Sequence, residues 1–227
     1  MTSSSRRGAP GPTGNGAKDE ILRRIRRATT EADAGTPGGA VPRGYHLQGE
    51  HSPGSPELIE LLRDRLLDYR AAVHRCSPEE VPATVASALA DRQARRVVVP
   101  AGLDPAWLAG WPGDAVPDRP AAPLTVTDLD GMDGVVTGCA VAIADTGTLV
   151  LDASADQGRR VITLVPDYHL VVVRAEQVVQ SVPEGLARMD PDRPLTMISG
   201  PSATSDIELN RVEGVHGPRT LVVVLVG

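Results

Sequence analysis

The chain has 227 residues, 41% of them apolar and 23% charged, enough for one ordinary domain with extensions and too few for two. A formal net charge of −6 offers no basic field to nucleic acid or an anionic membrane. With no Phe, two Trp and three Tyr, base-stacking platforms are excluded as well. The longest apolar run, Leu221 to Val226, falls far short of the ~20 residues that span a bilayer, and no signal-peptide pattern opens the sequence. Cys76 and Cys139 are the only cysteines, consistent with a reduced cytoplasmic protein, and by themselves they hold neither an iron–sulfur cluster nor a four-sulfur zinc site. The expectation is a protein with no intrinsic cofactor.

Residues 1–17 are Ser, Gly and Pro with two arginines, and are predicted to be a disordered tail. Over 18–34, Ile21, Leu22, Ile25 and Ala28 fall at helical spacing against Arg23, Arg24, Arg26 and Arg27, which predicts an amphipathic helix. Its basic side reads as a solvated face, with partner docking as the alternative. Residues 35–55 return to Gly and Pro and read as a tether. The compact part, 56–227, opens with a helix capped at Ser55 and started by Pro56, running to Asp68. A strand ending at Cys76, a helix from Ser77 to about Ala94 and a buried strand at Val97–Val99 follow. Trp107 and Trp111, in Pro-rich surface segments, are placed between helix and sheet. Strands are then predicted at 135–136, 140–144 and 148–151, with a turn at Asp145–Gly147, and at 170–173, 195–198 and 221–226. One further helix is predicted from about Ala175 to Met189. Continuous Val-rich runs suit strands covered on both faces. The fold class is therefore α/β, a single mixed, largely parallel sheet flanked by helices, with some antiparallel pairing near 135–151.

Generic phosphate-loop, zinc-protease, Cys-x-x-Cys and nucleophile-elbow motifs are absent. Three segments carry chemistry. In the first, Gly200, Pro201, Ser202, Thr204 and Asp206 follow a strand and precede what reads as a short helix, where open N–H groups and hydroxyls suit a carboxylate or phosphate. The plain alternative is a capped strand–turn–helix connection. In the second, Asp145, Thr146, Gly147 and Thr148 form a turn between apolar strands. It is a β-hairpin tip by default, with Asp145 its only plausible base or nucleophile. The third group is Arg159, Arg160, His169, His216 and Arg219 in glycine-containing loops, suited to an organic anion. Alternatively, the arginines pair with Asp152 or Asp156 at the surface and His169 braces the core. Cys139 reads as a small buried hydrophobe.

In this order Asp133–Cys139, Ala142–Leu151, Gln157–Arg160, Leu164–Asp167, Ile198–Glu208 and Gly214–Arg219 closely resemble the lactate-utilisation protein C family (LutC/YkgG, carrying the LUD domain). The resemblance runs from about residue 56 to the end. The family usually has Glu where this chain has Asp145. The resemblance implies a fold like the NagB/RpiA/CoA-transferase group. It also implies genetic association with oxidation of L-lactate to pyruvate, beside an iron–sulfur subunit and a second subunit. Three readings follow. The chain is a non-cluster subunit of that system binding a small carboxylate, an autonomous CoA-transferase-like acyl- or phosphate-handling enzyme using Asp145, or a non-catalytic assembly module. The CoA-transferase reading is fold-level analogy.

Overall fold

The computed structural model describes residues 14–33, 44, 46–204, 212–213 and 217–227. The chain divides into two units, 1–45 and 46–227. In the first, α1 (Gly14–Asp33) begins four residues before the segment in which the sequence shows helical periodicity. Its apolar Ile21 and Ile25 are exposed, and Glu20 pairs with Arg23 and Arg24 one turn on.

The second unit runs α2 (Pro56–Asp68), β1 (Ala72–Cys76), α3 (Val81–Asp91), β2 (Arg96–Pro100), β3 (Asp114–Asp118), α4 (Val126–Asp130) and β4 (Gly134–Thr137). It continues with β5 (Val141–Ile143), β6 (Thr148–Leu151), β7 (Tyr168–Arg174), β8 (Val178–Val179), α5 (Val182–Ala187) and β9 (Thr196–Ile198). The last strands are β10 (Ala203–Thr204), β11 (Val212–Glu213) and β12 (Thr220–Val226). Six strands form one parallel sheet in the order β1-β12-β7-β4-β2-β3.

The central strands β7 and β12 are Val-rich runs buried almost throughout because both their faces are covered. Successive residues point to opposite faces. Leu170 and Val172 pack with Val85 and Leu89 of α3. Val171 and Val173 pack with Leu58, Leu62 and Leu66 of α2. Trp111 is buried in the α3 cluster, with Trp107 packed against it, between helix and sheet.

The mixed pairing anticipated near 135–151 segregates into a second, four-stranded sheet, β8-β5-β6-β9, rather than entering the main one. There β5 and β6 pair antiparallel, β6 and β9 antiparallel, and β5 and β8 parallel. Its Ala142, Leu149 and Val178 share the α2 cluster, so it stacks over that face of the main sheet.

Two local readings are corrected. The helix expected from Ala175 to Met189 is a 3₁₀ turn at Ala175–Gln177, then β8, then α5. The β-branched Val178–Val179 completes the edge beside β5. The chain then restarts as a helix at Ser181, which forms a capping box with Glu184 around Pro183. Strand β3 was not expected because Pro117 interrupts it; it lies at the sheet edge, pairs only with β2, and so has no second ladder for Pro to break. After Ser202 the chain continues as β10, paired antiparallel with β11, and the short helix expected beyond these residues lies outside the described residues. Asp206 and His216 lie outside the described residues.

Candidate functional site

The hairpin β5–β6 turns at Ala144–Gly147. Gly147 has φ +59°, and a Cβ there would stand 2.8 Å from the Arg65 Cβ, so both conformation and space call for glycine. The antiparallel register of β6 with β9, Leu149 opposite Ile198, places Thr148 beside Ser199. Their hydroxyls are 2.8 Å apart, and Thr148 also meets the Thr146 hydroxyl at 2.8 Å. A chain of three hydroxyls thus runs from the hairpin tip to the start of the Ser199–Ser202 turn.

That turn is bent at Gly200, φ +83°, where a Cβ would stand 2.5 Å from the Cβ of Tyr69. Ser202 N–H donates to the Pro218 carbonyl at 2.8 Å, tying the turn to the segment entering β12. Between them lies a cavity of about 340 Å³ whose wall includes Arg160, Thr163, His169, Ser199, Gly200 and Ser202. The second residues of β7 and β12, His169 and Leu221, are both in the wall, so the cavity opens at the amino ends of these parallel strands. The sequence placed the Ser202 segment at the carboxyl end of a strand where open sheets gather ligands. It does follow a strand, but β9 belongs to the second sheet.

His169 is 1% exposed, and its Nε2 lies 2.8 Å from the hydroxyl of Thr137, the fully buried last residue of β4. Among the described residues its Nδ1 has no hydrogen-bonding partner. Burial alone drives its pKa down to about 3, so the ring is neutral at ordinary pH. Arg160 begins a 3₁₀ turn, is exposed, and makes no ion pair with any described residue. Arg219 grips Asp167 through Nε and a terminal nitrogen at 2.8 and 2.7 Å, holding that carboxyl below the usual carboxylate range.

The structure therefore gathers Gly200 to Ser202, Arg160 and His169 in one wall that is part polar and part apolar, while Thr148 and Thr146 lie outside it and reach it only through the Ser199 hydroxyl. Asp145 is exposed at the hairpin tip, and its N–H bonds the Gln180 carbonyl; it is not in the cavity wall. Arg159 is elsewhere. Its Nε and a terminal nitrogen donate to the two oxygens of Asp118 at 2.7 and 2.8 Å, and not to Asp152 or Asp156. This pair borders a second cleft of about 340 Å³ beside Ala101 and Gly102, at the carboxyl ends of β2 and β3. Asp152 instead faces Arg193 at 3.4 Å.

Ser199, Thr137 and Asp167 were not among the residues singled out from sequence. Thr137 lay within the family-like segment Asp133–Cys139, as a hydroxyl at the end of an apolar strand. Cys139 is buried, donates to the Val141 and Val150 carbonyls, and has its thiol pushed up to about 12 by desolvation, as an inert small hydrophobe would. Cys76 is buried too, with its thiol also raised. Among the described residues no group of three or more His, Cys, Asp or Glu side chains could hold a metal ion, and no helix is long and apolar enough to cross a membrane.

Residues 59–226 match the family model described as the LUD domain. Over 215 residues, 93% of this chain and 96% of the relative, the chain is 49% identical to lactate utilization protein C of Deinococcus radiodurans. It is 28% identical to lactate utilization protein C of Bacillus subtilis over 55% of this chain and 57% of that one. A crystal structure of a DUF162 family protein from Deinococcus radiodurans superposes with a TM-score of 0.64 at 47% identity, covering 75% of this chain and 97% of that one.

Proposed function

Because the chain belongs to the LUD domain family, we propose that it serves lactate utilisation as the subunit that holds a small carboxylate, within a system that oxidises L-lactate to pyruvate in the cytoplasm. The observation that supports this most is the cavity wall itself. It combines a cationic Arg160 with the hydroxyl-bearing Thr163, Thr196, Ser199 and Ser202 around about 340 Å³. That volume lies at the small end of ligand sites. A guanidinium is the side chain best shaped to take a carboxylate through two parallel hydrogen bonds.

Oxidation of lactate releases two electrons and two protons. On this reading the electrons pass to iron–sulfur clusters on a partner subunit, with a second subunit completing the assembly. This chain supplies binding and orientation.

The test is thermal unfolding of the purified chain with lactate, pyruvate and the cluster-bearing partner. It should turn over no lactate alone, yet its Tm should rise with the acids. Arg160→Ala should weaken carboxylate binding about tenfold, the loss of one charge-assisted contact. A Tm indifferent to both acids and to the partner overturns the reading.

A further inference from the structure

The cavity that holds Arg160 is larger than the acid assigned to it. An apolar cavity of about 150 Å³ takes up benzene, which has as many non-hydrogen atoms as lactate or pyruvate. The space here is about 340 Å³, so lactate seated on Arg160 leaves roughly half of it unfilled. Beside Arg160 and the hydroxyls, the wall contains Leu164, Ile198, Pro201, Pro218 and Leu221. Leu221 is 2% exposed and belongs to the apolar cluster that α2 shares with both sheets, and Ile198 packs against the same cluster. Arg160 and Ser199, by contrast, are exposed. Exposure therefore falls from the charged and hydroxyl groups toward Leu221, and the apolar part of the wall continues the core between the sheets. The buried polar side chains are turned to other work. Thr163 donates its hydroxyl to the Arg160 carbonyl at 2.9 Å, and His169 faces Thr137 through Nε2 while its Nδ1 is closed to solvent.

We propose that this cavity takes monocarboxylic acids with an aliphatic tail longer than the methyl group of lactate, the carboxylate on Arg160 and the tail against Leu221 and Ile198. The proposal rests on the carboxylate-binding reading of the same cavity. Water beside Leu221 and Ile198 meets carbon and forgoes hydrogen bonds that it has in bulk, whereas an alkyl tail in the same place leaves water for apolar surroundings. The carboxylate stays at the exposed end, because an ionised group carried inward without a partner is costly and because the Arg160 guanidinium at that end can take both its oxygens. Head and tail thus have separate anchors. Affinity rises with chain length until the space is full, at acids roughly twice the size of lactate by the same measure of volume.

Calorimetric titration of the full chain with the straight-chain 2-hydroxy acids from lactate to 2-hydroxyhexanoate tests this. Each added methylene should tighten binding about threefold, the gain from taking most of a CH₂ group out of water. Arg160→Ala should weaken every member by a similar factor and keep the gain per methylene, because it removes only the anchor of the head. Ile198→Thr keeps the branching that suits a strand but brings a hydroxyl to the inner wall, and should flatten the series. Should that variant not fold, Leu164→Ser serves in its place, since Leu164 is 36% exposed and outside the core. Equal affinity across the parent's series overturns the proposal and leaves carboxylate binding standing. An undiminished gain per methylene in the wall variant puts the tail elsewhere and overturns it too. Binding of none of the acids overturns both readings.

Discussion

Two cavities of the same size, about 340 Å³ each, lie at opposite ends of the parallel strands, and their walls differ in what they have left to offer. The cleft at the carboxyl ends of β2 and β3 has the position that open α/β sheets ordinarily give to ligands. Its charges, however, are already satisfied. Asp118, its side chain 4% exposed, takes both nitrogens of Arg159 and the Leu124 N–H. The cavity at the amino ends of β7 and β12 has in its wall an Arg160 that makes no ion pair with any described residue. Volume and topological place are equal or better in the first; open hydrogen-bonding capacity favours the second.

The largest expected effect separates the two walls by pH. His169 has a folded pKa of about 3, below its ordinary 6.5, so the unfolded chain binds a proton first as pH falls. Its contribution to stability is fully present above pH 6.5 and is lost downward through the window from 6.5 to 3, at up to about 1.4 kcal/mol per pH unit. Denaturant unfolding between pH 6 and pH 4 should therefore cost the parent roughly 2–3 kcal/mol more than His169→Gln, which has no proton to gain. Equal slopes in parent and variant would mean that the ring is not held neutral.

Asp118 behaves in the opposite sense. Arg159 keeps its carboxyl below the usual range, so its contribution persists through that window and fades only under stronger acid. Asp118→Asn should destabilise the chain by about 2 kcal/mol at neutral pH, an amount moderated by the half-exposed Arg159. Carboxylate binding should be unchanged, and a loss of binding in this variant would relocate the site to the other cleft.

The smallest effect concerns the link between hairpin and cavity. Ser199→Ala removes one end of the hydroxyl chain but leaves Thr148 bonded to Thr146, and should cost about 1 kcal/mol by chemical denaturation. No cost at all would show that the hairpin tip is not coupled to the cavity rim.

The strands that carry the core were legible because they are continuous apolar runs, β7 and β12 above all. Strand β3 was hidden by Pro117, which only an edge position tolerates, and edge or centre is decided by the strands alongside. The 175–189 segment misled for a related reason. Val178–Val179 becomes a strand because β5 offers it a ladder, which no local pattern announces. At the site, Gly147 and Gly200 were visible as bends, and the cavity wall draws on the Gly200–Ser202 segment and on Arg160 and His169, while the marked hairpin Asp145–Thr148 stays outside it. The separation of Arg159 from Arg160, adjacent in the chain yet bordering different cavities, was not visible, because it follows from where the 3₁₀ turn begins.

The sequence by itself determined an α/β chain with a Val-rich parallel core, glycine-containing bends between its strands and family membership. It could not determine which side chains meet. Thr137 and His169 stand 32 residues apart, and Thr148 and Ser199 stand 51 apart. Thr148 meets Ser199 through the register of β6 against β9, and the Thr137–His169 contact depends on how the adjacent strands β4 and β7 are aligned. Register is a property of paired strands, set by how two hydrophobic faces settle against shared helices, and a shift of one residue would turn each of these groups to the opposite face. The open nitrogen of His169 therefore exists only in the folded chain, where burial has removed the water that would otherwise have satisfied it.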